Sequence, residues 1–107
     1  MIARVWHGWT RLSSADAYER LLKEEILPGI ADRAIDGYHG AHLLRRESGE
    51  EVEFTTLLWF ESMEGVREFA GEADHEASVV PAEARALLSR HDHRSEHHEV
   101  RLSPATS

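Results

Sequence analysis

Between Phe54 and Phe60 the chain reads FTTLLWF, and an alternating backbone puts Phe54, Thr56, Leu58 and Phe60 on one face and Thr55, Leu57 and Trp59 on the other. Large apolar groups on both faces predict a strand that must be covered twice. The residues that follow switch to helical spacing. Met63, Val66, Phe69 and Ala70 form one apolar stripe, Ser62 stands where an N-cap belongs, and Gly71 stands where a left-handed residue ends a helix. Such a helix covers one face only, so the second cover must come from other segments or from another copy of the chain.

Residues 2–9, with Ile2, Val5, Trp6 and Trp9, predict a first strand. Ser13 and Asp16 have the spacing of a capping box. Tyr18, Leu21, Leu22, Ile26, Leu27 and Ile30 then continue as the stripe of a long helix ending near Ala31, with Pro28-Gly29 expected to kink it. Gly37 to Arg46 read as a second strand, and ESGEE at 47–51 turns the chain into the third, with Gly49 at the reversal. Residues 73–80 read as an irregular connection, Pro81 opens a short helix through Leu87 and Leu88, and residues 94–102 read as a fourth strand.

The order β-α-β-β-α-β predicts an α+β, ferredoxin-like domain over residues 1–102, with both long helices on one face of a four-stranded antiparallel sheet. Residues 103–107 read as a flexible C-terminal tail. The opposite sheet face is then open and apolar, and a face-to-face homodimer is the simplest cover.

Charge narrows the partners. Twenty acidic against twelve basic residues give a formal charge of -8, which argues against nucleic acid or an anionic membrane surface and leaves small molecules or protein surfaces. Eight histidines would bring that charge close to zero in mild acid, where solubility should be poorest. The absence of cysteine removes disulfides, thiol catalysis and cysteine-metal sites, and suits folding in a reducing compartment such as the cytoplasm. MIARVWHGW fits neither a secretory signal nor a spanning helix.

The segments IARVWHGWT, LLKEEILPGI, EVEFTTLLWFES, VREFAGE and SEHHEV, in that order, resemble the antibiotic biosynthesis monooxygenase family over nearly the whole predicted domain. The resemblance implies a dimeric α/β barrel with a pocket between sheet and helices in each subunit. It also implies oxygenation of a planar aromatic, polyketide- or quinol-like molecule by molecular oxygen without metal, flavin or haem. By position it carries substrate contact to Phe60, with Trp59 beside it, and to Phe69; Trp6 joins them as an aromatic of the first strand. Related haem-degrading enzymes carry tryptophan at the Phe69 position and asparagine near His7, and both replacements argue against haem. The family's closing His-Tyr-Glu-Val corresponds to His97, His98, Glu99 and Val100, with His98 in place of an aromatic.

Cofactor-free oxygenation needs a base to form the substrate anion, and histidine titrates in the useful range. His7, between Trp6 and Trp9, is the first candidate; the alternative is a core or interface histidine with its ring hydrogen-bonded. His97 is the second, against a solvent-facing or dimer-contact role, and His75 could close over a pocket mouth. His91, Asp92 and His93 invite a metal reading, but no cysteine or clear acidic third ligand completes the set, and no native metal site is expected. A noncatalytic dimeric binding module remains the alternative to an enzyme.

Overall fold

A computed structural model describes residues 1–104. β1 (Ile2–Arg11) leads through a short 3-10 turn (Leu12–Ser14) into α1 (Ala15–Leu21), a π-helical segment (Leu22–Ile26) and α2 (Leu27–Asp32). The hairpin β2 (Tyr38–Ser48) and β3 (Glu51–Phe60) follows, then α3 (Met63–Ala70), α4 (Ala82–Leu87), β4 (Leu88–His91) and β5 (Glu96–Glu99). The strands lie in the order β2-β3-β1-β4, with β5 also on β1, and every pairing is antiparallel. This is the ferredoxin-like α+β plan, with the last edge strand broken in two.

That break corrects the reading of residues 94–102 as one strand and of Leu88 as helical. Leu88 begins β4, half-buried on the first of two core clusters, and the chain leaves β1 at Asp92 before returning at Glu96. Asp92 bridges the gap: its N–H donates to the His7 carbonyl at 2.9 Å, and its own carbonyl accepts from Ser78 Oγ at 2.8 Å. Val100 N–H donates to the Met1 carbonyl at 3.0 Å just past β5, and residues 101–104 follow without strand structure. The remainder of the expected tail, residues 105–107, lies outside the described residues.

The first helix runs through residues 15–32, as the apolar stripe requires, but the proline is absorbed differently from a simple kink. Pro28 sits at the start of α2, directly after the widened π-helical turn, so its missing N–H falls where the ladder is already interrupted. The expected capping box is not formed: Ser13 lies inside the 3-10 turn and Ser14, at the N-cap, makes no side-chain capping bond. Ser62 and Gly71 do flank α3, Gly71 with a φ of 105°. Gly49 takes a φ of 68° in the two-residue β2–β3 turn, the geometry that lets a right-twisted hairpin close.

Sidedness follows the register. Pairs Ile2↔Phe60, Arg4↔Leu58, Trp6↔Thr56 and Gly8↔Phe54 face the helices, while Val5↔Leu57, His7↔Thr55 and Trp9↔Glu53 face away. On the helix side two clusters form, one around Tyr18, Leu22, Val52 and Phe54, the other around Ile35, Leu58, Phe60, Val66 and Phe69. Tyr18 meets Phe54 edge-on at 4.9 Å, and Phe60 meets Phe69 at 5.9 Å. Gly65 allows α3 to lie this close, since a Cβ there would come within 2.9 Å of the buried Phe60 ring and 3.2 Å of the Asp36 carbonyl oxygen.

Candidate functional site

Where the two clusters meet, they leave a part-open cavity of about 60 Å³ between sheet and helices. Tyr18 and Leu22 reach it from the first cluster, Leu58 and Phe69 from the second, and Trp6 and Arg4 from β1. Leu22 and Ile26 belong to the π-helical segment, so the widened turn forms part of the wall. Val79, Val80 and Pro81, from the irregular connection and the start of α4, also line it.

Arg4 gives this cavity its charge. Its side chain is carried inward by strand alternation to the helix-facing side, where the residue is 3% exposed. Nη1 donates to the His75 carbonyl at 2.6 Å and to His97 Nε2 at 2.9 Å, and Nη2 donates to the Ala77 carbonyl at 2.7 Å. Among the described residues no carboxylate forms an ion pair with it. Burial pulls its pKa down to about 10, still cationic at neutral pH. The guanidinium carbon also stands 5.3 Å from the Phe69 ring centroid.

His97 is the second polar group of the site. Its pKa is lowered to about 4, first by burial and then by the Arg4 charge, so at neutral pH it is an uncharged imidazole whose Nε2 accepts from Arg4. The His75 ring lies 5.6 Å from it. Trp6 is fixed by two acceptors, Ser78 Oγ at 2.9 Å and the Asp92 carbonyl at 3.0 Å.

Two solved structures share this architecture. A Bacillus cereus protein named as a candidate antibiotic biosynthesis monooxygenase superposes with a TM-score of 0.60 at 16% identity, over 98% of this chain and 97% of that one. Rv0793 from Mycobacterium tuberculosis superposes with a TM-score of 0.53 at 20% identity, over 98% of each chain. The chain has their fold. No protein-family model and no curated protein sequence matches it.

Within that fold the residues singled out in the sequence divide into three places. Trp6 and Phe69 line the cavity, with His97 and His75 gathered behind it through Arg4. Phe60 is fully buried in the second cluster and does not reach the cavity. His7 and Trp59 lie on the opposite face of the sheet. There His7 Nδ1 is 2.7 Å from Asp92 Oδ2 and its ring stacks near Trp9, while Trp59 Nε1 donates to His42 Nδ1 at 2.7 Å. His7, the first candidate for the base, therefore does not reach the cavity that Trp6 lines, because consecutive strand residues point to opposite faces.

Arg4 was not singled out from the sequence, although alternation from Trp6 places it on the same face. Nor do His91, Asp92 and His93 gather as ligands. Among the described residues, the group with ligating atoms within 4.8 Å of one another is His75, Glu76 and His97. A cation there would face Arg4 on His97 and Arg94 Nη2, 2.9 Å from Glu76 Oε1.

Proposed function

We propose that this chain is a homodimeric monooxygenase of the antibiotic biosynthesis monooxygenase kind, which oxygenates a small phenol or hydroquinone with molecular oxygen in the helix-side cavity, using no metal, flavin or haem. One observation carries this reading: a buried guanidinium without an acidic partner among the described residues stands at an aromatic-walled cavity. The likeness to the Bacillus cereus protein supports the reaction class.

In the proposed reaction Arg4 stabilises the ionised hydroxyl of the substrate, so that ionisation to water at the cavity mouth becomes easier. The anion passes one electron to oxygen, and the resulting radical and superoxide join in a new carbon–oxygen bond. The peroxide so formed takes back the proton given to water; its O–O bond and the C–H bond at the same ring carbon then break, so one oxygen atom stays as a carbonyl and the other departs as water. His97, with a pKa of about 4, is too weak a base for a phenol and instead holds Arg4 in place. Val5, Leu57 and Trp59 on the open face are the surface by which two copies pair in this reading.

Oxygen uptake by chelator-treated protein, with a panel of phenols and hydroquinones, tests the proposal. Turnover that is lost in an Arg4→Met variant is expected; no uptake with any compound discards the enzyme. Cavity size favours a second reading, a noncatalytic dimeric binding module, because about 60 Å³ admits only small ligands. Binding without oxygen uptake would assign that role.

A further inference from the structure

We infer that the ligand of the helix-side cavity is a monocyclic aromatic anion of the benzoate type, with its carboxylate seated on Arg4. This rests on the cavity being the functional site; it specifies charge and size, and it replaces the ionised hydroxyl of the proposed reaction by a carboxylate as the group that meets Arg4.

Charge comes first. A guanidinium has five N–H donors, and three are used by Arg4, on the His75 and Ala77 carbonyls and His97 Nε2. All three acceptors are neutral. Nε–H and the second Nη2–H have no acceptor among the described residues, and two such donors on one planar group suit the two oxygens of a carboxylate. Unpaired cations are costly in a dry site, so a ligand anion would be favoured twice, by its own charge and by relief of the buried one. Among the described residues, the cavity lining contains no aspartate or glutamate that would repel it.

Size comes second. About 60 Å³ is less than the roughly 150 Å³ that encloses a benzene ring, so a single ring enters this part-open cavity with one edge at its mouth, and two or three fused rings are excluded. Trp6 and Phe69 offer flat walls, and the hydroxyl-bearing Thr56 and Ser95 also line the space, where they can meet ring substituents. A polycyclic polyketide does not fit without movement of the helices.

Calorimetric titration with benzoate, benzamide, benzamidine and 1-naphthoate, without any oxygenation step, separates this inference from the proposed reaction. Benzoate should bind about tenfold or more tightly than benzamide, with no binding of benzamidine and weaker binding of 1-naphthoate. The Arg4 Nε–H resonance should shift with benzoate, and Arg4→Lys should weaken it by a similar factor. Equal binding of benzoate and benzamide, or an unmoved Arg4 Nε–H resonance, would overturn the assignment while leaving the oxygenase reading open. Binding of none of the four would overturn it as well.

Discussion

Arg4 Nη1 and His97 Nε2 stand 2.9 Å apart, as direct partners in the β1–β5 ladder. An arginine can only donate, so His97 must present a lone pair at Nε2 and carry its proton on Nδ1. Protonation of His97 would set two cationic donors face to face in a part-buried site. The pair therefore holds together only while the imidazole is neutral.

A pH dependence of stability follows. His97 titrates near 4 in the folded chain against an ordinary value of 6.5, so between these values the unfolded chain binds more protons. The stabilisation is fully present above pH 6.5 and is lost as pH falls toward 4. Denaturation midpoints measured across this window should fall with acidification. In Arg4→Met the His97 pKa, followed by NMR, should rise without reaching its ordinary value, because burial is the larger cause. An unchanged His97 pKa in that variant would contradict the pairing.

Thr10 provides an independent check of the core. It is fully buried on the helix-facing side, and its Oγ1 has no hydrogen-bond partner among the described residues. Thr10→Val replaces that hydroxyl by a methyl of similar shape and should stabilise the fold by about 1 kcal/mol, read as a higher thermal midpoint. A lower midpoint would mean that the hydroxyl is satisfied.

Much of this fold was legible because two-sided burial leaves a mark that a short chain cannot hide. The FTTLLWF alternation matches the observed faces of β3 residue by residue, and the helix stripe at Met63, Val66 and Phe69 packs as its spacing requires. The broken edge strand was less legible, since residues 91–97 are polar and carry no period of two, and their path depends on distant partners such as His7 and Ser78. Arg4 escaped notice because a charged residue near a chain end ordinarily reads as surface. The signal was present in the alternation, which groups residues 4 and 6 on one face and residues 5, 7 and 9 on the other.

The open sheet face carries the quaternary expectation. Val5, Leu57 and Trp59 remain only half-buried there, beside Leu44, which is 50% exposed. Leu57→Asp places a charge at the centre of this patch without touching the helix-side core. Sedimentation should report a pair of chains for the parent protein and a single 12.2 kDa species for the variant. A parent protein that sediments as one chain would remove the dimer.

The most direct test of where this protein works uses its three tryptophan indole N–H signals. Trp6 lines the cavity, whereas Trp9 and Trp59 lie on the open face. In an amide-type nitrogen–proton correlation spectrum, titration with benzoate should shift the Trp6 indole signal and leave those of Trp9 and Trp59 in place. Movement of the Trp9 or Trp59 signal with Trp6 unmoved would locate the site on the other side of the sheet and contradict the cavity as the seat of function.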